Sequence, residues 1–325
     1  MDGSFVPMAQ SCVGGMKTLV VDQVHEDAVE DLKKFSTVVY EPHPSQERLK
    51  VLVKDADILV LRSGVTLTPE IFRNAGKLRI IARAGVGTDN IDMPSVKSRG
   101  IILFNVPGVS ARSVAELTLM YMFALSRKVI YADDTVRKGL WKKNELTGNC
   151  LGGRTIGIIG LGHIGYEVAR MCNALDMGVY LLVRDSKKIL PDTIKELGVK
   201  VVDLDVLLRE SDFVSIHTPL TDATKNMITA EKLALMKRTA FLINTARAGI
   251  IDEEALYDAL KSRSIAGAAL DVFVKDNTFL SELDNIILTP HIGAMTIEVQ
   301  KKIGDILTRN IKNAIEGRPV ENRIN

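Results

Sequence analysis

From Lys17 onward the chain repeats one pattern: a short apolar, β-branched run, then a segment whose apolar residues fall at helical spacing. The runs are TLVV, TVVY, DILVL, LRIIA and IILF, then TIGII, VYLLV, FVSI, AFLI, IAGAAL and NIIL. Strands that alternate with helices and read as nearly unbroken apolar runs belong in parallel sheets covered on both faces. Single cores stop growing at roughly 250–300 residues, so 325 residues predict two doubly wound α/β domains rather than one. The first five runs end near Phe104, and the Pro-Gly turn of NVPGVS puts the domain change near residue 106. SARSVAELTLMYMFALSRKV then reads as one long helix that Ser110 or Ser113 caps. Its stripe of Leu117, Met120, Met122 and Phe123 reads as core or subunit interface. The second set of strands ends near Leu288, and TIEVQKKIGDILTRNIKNAIEG reads as an amphipathic helix.

Composition narrows the function classes. The net charge of +2 is spread along the chain, which gives no basic face for nucleic acid or an anionic membrane surface. Cys12, Cys150 and Cys172 stand far apart, without the spacing of a metal site or a disulfide framework, as suits a reducing compartment. The opening MDGSFVPMAQSCVGG lacks the cationic start and apolar stretch of a secretory leader. No apolar run reaches the roughly 18 residues of a membrane span, so a cytoplasmic location is expected. No regulatory domain is expected after the last helix.

The stretch IGLGHIG at 159–165 lies between the run TIGII and a helix-like segment, YEVARMCNAL. In a dinucleotide-binding turn of this form Gly160 allows the tight bend. Gly162 lets backbone approach the pyrophosphate, and Gly165 lets helix and strand pack closely. An acidic residue about 20 positions on then grips the ribose hydroxyls. In GVYLLVRDSKK that position is Val183, followed by Arg184, with Lys187 and Lys188 close by. Cations there suit a ribose 2′-phosphate, so NADP is expected over NAD. Asp185 keeps NAD open if the turn is longer, and a merely solvated turn is the plain alternative.

Five further stretches converge with this loop: ARAGVGTDNID at 82–92, HTPLT at 217–221, NTARAGIIDEEAL at 244–256, GAALDVF at 267–273 and TPHIGA at 289–294. In order and spacing, from Lys17 to about Arg318, they closely resemble the D-isomer-specific 2-hydroxyacid dehydrogenases. The resemblance implies a flavodoxin-like substrate domain from residues 1–106 and 295–325. It implies a Rossmann domain over residues 107–294, a homodimer joined through the Rossmann domains, and hydride transfer between NAD(P)H and a 2-keto acid. By position it makes Arg247 the substrate-binding arginine, His291 the acid/base and Asp276 the third catalytic residue. Asp276 stands where the family has glutamate, and Asn277 where it has proline, so the carboxylate reaches one methylene less far. For the cofactor it implies His163 and Ile164 at the pyrophosphate and Thr218 and Pro219 beside the adenosine. Thr245 and Asp271 come near the nicotinamide, with His291 and Gly293 completing the set. A loop cap is the alternative for Asp271.

The chemistry suits these residue types. A histidine titrates near pH 6.5, and a carboxylate beside it favours the imidazolium that protonates a new alkoxide. An arginine offers a planar fork to a carboxylate and polarises the adjacent carbonyl. The amides of Ala84, Gly85, Val86 and Gly87 are expected to hold the other face of that carboxylate. ILVLRSGVTLT resembles the segment of phosphoglycerate dehydrogenases that supplies an arginine to the substrate phosphate. Arg62 matches it, Arg83 matches a second such arginine, and Lys143 lies near a third cation from a partner subunit. The expected substrate is therefore a phosphorylated 2-keto acid such as 3-phosphohydroxypyruvate, with glyoxylate, hydroxypyruvate or another small 2-keto acid as the alternative. A dinucleotide-sensing corepressor and a formate or phosphite dehydrogenase share the fold.

Overall fold

The structure, a computed structural model, describes residues 15–184, 191–274 and 278–325. Cys12 lies outside them, and Cys150 and Cys172 are free thiols. The chain divides into two units, Met1–Ser110 with Met295–Asn325, and Ala111–Ala294.

The first unit carries β1 (Lys17–Val20), β2 (Thr37–Tyr40), β3 (Ile58–Leu61), β4 (Ile80–Arg83) and β5 (Ile102–Phe104). They form one parallel sheet in the order β2-β1-β3-β4-β5. Both central strands β3 and β4 are buried along their whole length, which is why their sequences show no polar alternation. The crossovers are α1 (Glu26–Lys33), α2 (Gln46–Leu52), α3 (Pro69–Asn74) and α4 (Met93–Ser98). Each starts on a side-chain cap, His25, Ser45, Thr68 and Asp92, which accepts an otherwise orphaned backbone N–H.

The second unit opens with α5 (Ala111–Arg127) and α6 (Val129–Arg137). The single long helix expected here is interrupted at Lys128, whose φ of 51° no continuous helix allows. Ser113 lies inside α5 and donates to the carbonyl of Gly293 at 2.6 Å, so it is not the cap. The apolar stripe also splits, with Met122 in the core and Met120 and Phe123 exposed.

Seven strands follow: β6 (Thr155–Ile159), β7 (Gly178–Leu182), β8 (Val199–Val201), β9 (Phe213–Ile216), β10 (Phe241–Asn244), β11 (Gly267–Leu270) and β12 (Ile286–Leu288). They pair in parallel in the order β12-β11-β10-β9-β6-β7-β8. All the expected runs became strands, and the two parallel α/β sheets stand as anticipated. β8 escaped notice because Lys200 breaks its short apolar signal. The helices of this sheet are α7 (His163–Asn173), α8 (Pro191–Glu196), α9 (Leu204–Glu210), α10 (Ala230–Leu233) and α11 (Glu253–Lys261).

The last helix, α12 (Ile297–Ile315), returns to the first unit and packs against α1 and β4. Its buried stripe of Val299, Ile303, Leu307 and Ile311 follows the helical period. The approach to α1 depends on Gly304, where a Cβ would lie 2.9 Å from the Ala28 methyl. Among the described residues no helix is long and apolar enough to cross a membrane.

Candidate active site

Open parallel sheets gather ligands at the carboxyl ends of their strands, where the strand order reverses. In the second unit that point lies between β6 and β9, and the glycine loop leaves β6 there. Gly160 has φ +102°, and a Cβ on it would sit 2.6 Å from the carbonyl oxygen of His217. A Cβ on Gly165 would sit 2.1 Å from the Gly160 carbonyl, whereas one on Gly162 would meet nothing within 4 Å. Two glycines therefore close the turn and the third faces open space. Helix α7, which begins at His163 and Ile164, has Gly162 as its N-cap and no side-chain cap. In the same unit Asp203, Thr229 and Asp252 cap α9, α10 and α11. An uncapped helix start reached over an open glycine fits the pyrophosphate of a dinucleotide, because its amides and dipole favour an anion.

Val183 follows the last residue of β7 and is half-buried, and Arg184 is exposed beside it. Asp185, Lys187 and Lys188 lie outside the described residues. On the other side of the glycine loop, Thr218 and Pro219 follow β9, Thr245 and Arg247 follow β10, Asp271 follows β11 and His291 follows β12. Adjacent strands stand about 4.8 Å apart, so the sheet order sets these groups side by side along one edge.

Asp271, only 1% exposed, organises the end of that row. Its Oδ1 accepts from Thr289 Oγ1 at 2.5 Å and from the amide of Ile292 at 2.8 Å. Its Oδ2 accepts from the amide of Gly293 at 2.9 Å. The His291 amide donates to the Asp271 and Thr289 carbonyls at 2.9 and 3.0 Å. These bonds hold His291 at φ +58°, a conformation that few side chains adopt unforced, with the residue exposed. The carboxylate of Asp271 thus acts as a clamp on the 289–293 loop. Tyr121 of α5 hydrogen-bonds Thr289 from beneath, and burial raises its hydroxyl pKa well above the ordinary value.

Arg247 is half-buried, and its Nη1 donates to the Ala246 carbonyl at 2.8 Å. Asn244 fixes its turn, accepting from the Ala246 amide at 3.0 Å and donating to the Arg247 carbonyl at 2.8 Å. Asp276 lies outside the described residues. The segment leading to it is anchored at Val274, whose amide donates to both oxygens of buried Glu253 at 3.0 and 3.2 Å.

Sequence reasoning passed over His217 while using its neighbours Thr218 and Pro219. Residues two apart on a strand share a face, and accordingly His217 Nε2 meets Ser215 Oγ at 2.9 Å, with Thr245 Oγ1 at 3.5 Å from Nδ1. Desolvation pushes its pKa down to about 3, which keeps the ring neutral.

In the first unit, Arg62 follows β3 and residues 84–87 follow β4. The Arg62 guanidinium reaches the Gln300 side-chain oxygen at 3.1 Å, Met295 Sδ at 3.2 Å and the Gln23 carbonyl at 3.4 Å. Burial lowers its pKa, and the neighbouring Asp22 carboxylate opposes that shift. Arg83 is only 6% exposed and folds back under its own turn, donating to the Ala84 carbonyl at 3.1 Å. The turn also offers fewer amides than expected. Those of Ala84 and Gly85 are spent on Leu61 and Arg83 carbonyls at 2.8 and 2.9 Å. Asn105 and the amide of Val106 pin the Val86 and Gly85 carbonyls at 2.7 and 2.9 Å. That leaves the amides of Val86 and Gly87 without a backbone acceptor among the described residues. Lys143 is exposed in a short 3-10 turn after α6.

Residues 119–293 match the family model "D-isomer specific 2-hydroxyacid dehydrogenase, NAD binding domain". The chain is 42% identical over 315 residues to a D-3-phosphoglycerate dehydrogenase of Methanocaldococcus jannaschii, covering 95% of this chain and 59% of that protein. The chain thus spans about three fifths of the length of that relative. It is also 42% identical over 299 residues to a hydroxypyruvate reductase of Thermotoga maritima, covering 90% of this chain and 96% of that one. The crystal structure of the TT0316 protein from Thermus thermophilus superposes with a TM-score of 0.88 at 32% identity, covering 95% of this chain and all of that one (100%). With the glycine turn, the Arg247 turn and the clamped His291 loop at strand ends along one edge of one parallel sheet, the chain belongs to the D-isomer-specific 2-hydroxyacid dehydrogenase family.

Proposed function

We propose that this protein is an NAD(P)-dependent dehydrogenase that interconverts a 2-keto acid and its D-2-hydroxy acid, acting on 3-phosphohydroxypyruvate or a similar phosphorylated acid. The observation that carries the reading is the shared strand edge of the second unit, where the open glycine turn, Arg247 and His291 lie in one row. Gly162, His163 and Ile164 would hold the dinucleotide pyrophosphate on a turn that Gly160 and Gly165 close, with Thr218, Pro219 and Thr245 further along the row. A nicotinamide bound there would supply the hydride for the substrate's second carbon and accept it in the reverse direction. Arg247 grips the substrate carboxylate and polarises the carbonyl. His291 gives a proton to the carbonyl oxygen during reduction and takes it back during oxidation. Asp276 orients that ring, and Asp271 keeps its backbone in place. The amides of Val86 and Gly87 hold the substrate carboxylate, and Arg83 braces their turn.

Two finer assignments belong to the same reading. Val183 and exposed Arg184 at the end of β7 favour NADP, since the position of the ribose-binding acid is valine and a cation follows it. Arg62, a desolvated guanidinium met by neutral acceptors, is suited to a phosphate at the far end of the substrate. The working unit is a cytoplasmic homodimer, formed through the apolar surface of α5 and α6.

A second reading has its own support: the chain is as similar, at 42% identity, to the hydroxypyruvate reductase relative as to the D-3-phosphoglycerate dehydrogenase. Loss of absorbance at 340 nm separates the two, with NADPH and NADH run in parallel against 3-phosphohydroxypyruvate, hydroxypyruvate, glyoxylate and pyruvate. We expect the phosphorylated acid and NADPH to give the highest kcat/KM. Activity confined to the unphosphorylated acids favours the second reading. Silence with all four, or near-normal turnover after His291→Ala, sinks the dehydrogenase assignment. We expect that variant to lose about 100-fold or more, the usual contribution of an acid/base.

A further inference from the structure

Arg62 is held at three points. Its amide donates to Asp22 Oδ2 at 2.6 Å, its carbonyl accepts from Asn90 Nδ2 at 2.7 Å, and its guanidinium reaches Gln300 at 3.1 Å. The strongest backbone anchor is the first, because the acceptor is a carboxylate that is only 2% exposed. Against that carboxylate lies His43, whose Nδ1 is 3.2 Å from Asp22 Oδ1 although 61% of its own side chain is exposed.

The position of the ring is built in from two sides. His43 sits at φ +56°, and its amide donates to the Val21 carbonyl at 2.8 Å, which turns the side chain back over Asp22. From the other side, a Cβ on Gly64 would lie 2.4 Å from Asp22 Oδ1 and 2.7 Å from His43 Nδ1. A glycine two residues after Arg62 thus leaves the room that the imidazole and the carboxylate share. Glu41, the nearest other acid in the sequence, is paired with Arg48 at 2.7 Å, so its charge is answered elsewhere.

We propose that His43 is a positioning residue which, by covering Asp22, fixes the Arg62 arm and sets selectivity for substrates with a second anionic group. The proposal rests on the reading of Arg62 as the contact to that group. Without the ring, water reaches Oδ1 and competes for the carboxylate, the grip on the Arg62 amide weakens, and the arm loses its preorganisation. A substrate that ends in a hydroxyl makes no demand on the arm and is indifferent to the change.

The test is steady-state kinetics of His43→Ala, His43→Gln and Arg62→Ala on 3-phosphohydroxypyruvate and on hydroxypyruvate, with thermal unfolding as a fold control. His43 is on the surface, so the variants are expected to fold. His43→Ala should raise KM for the phosphorylated acid about tenfold, the scale of one charge-assisted hydrogen bond, leaving KM for hydroxypyruvate within about twofold. His43→Gln, whose amide covers and donates to Asp22, should recover most of that loss. If Arg62→Ala raises KM for the phosphorylated acid selectively while His43→Ala moves neither, the His43 proposal is wrong and the reading of Arg62 survives. If Arg62→Ala affects both acids alike, the reading of Arg62 itself falls.

Discussion

At the scale of single residues, a carboxylate and a histidine show how burial decides a role. Asp271 and His217 both stand at strand ends in the row that carries the candidate site. Asp271 spends its lone pairs on Thr289, Ile292 and Gly293, while His217 is desolvated until it is neutral. The histidine makes a prediction about acid stability. With a pKa of about 3 when folded and about 6.5 when unfolded, only the unfolded chain binds this proton between those values. Stability from this ring is present in full above pH 6.5 and falls as pH drops through the window, by up to about 1.4 kcal/mol per unit. Urea unfolding between pH 4.5 and 7 should give a steeper slope for the wild type than for His217→Asn, since acid protonates other groups equally in both. Equal slopes would mean that the ring is already charged in the folded protein. The motif HTPLT showed that this stretch mattered, but a histidine's charge state depends on what surrounds it.

At the scale of elements, the strand-turn-helix unit of β6 and α7 separates two kinds of glycine. Gly165→Ala drives a methyl into the Gly160 carbonyl at 2.1 Å, and overpacking of that kind costs roughly 1–3 kcal/mol or more. Gly162→Ala meets nothing within 4 Å, so the unit should keep its thermal stability to within about 1 kcal/mol. Yet in the proposed function Gly162 is where backbone and pyrophosphate approach, and the same substitution should weaken cofactor binding about tenfold or more. Fluorescence titration beside calorimetry distinguishes the two variants, and a Gly162→Ala protein with unchanged cofactor affinity would contradict the pyrophosphate assignment. The spacing of glycines was legible in the sequence, whereas which glycine faces a neighbour and which faces open space was not. The break at Lys128 was likewise hidden, because the apolar pattern runs on through it and a single residue turns into the left-handed region.

At the scale of the whole molecule, the second unit leaves an apolar surface uncovered. Phe123, Val129, Ile130, Val136, Leu140 and Trp141 are all exposed, Trp141 by 85%. Soluble monomers rarely carry large apolar patches, and these exposed side chains follow one another along α5, α6 and the segment after them. Light scattering on the purified protein should give twice the chain mass at micromolar concentration. Phe123→Glu with Ile130→Glu should give the chain mass itself, since buried carboxylates without partners oppose association. A monomeric wild type would remove the dimer from the proposal and leave this surface to another partner.

The sequence by itself determined the parallel strands, the helices between them and the family, because hydrophobic period and glycine spacing are local signals that survive any packing. It also named the row of candidate site residues, since each follows its own strand. Tertiary structure alone decided what those residues do with their polar atoms. Whether Asp271 points at a ligand or clamps a loop, and whether His43 shelters Asp22, depend on neighbours 21 positions away in the chain. Hydrogen bonding and desolvation act over a few ångströms of space, whatever the distance in sequence.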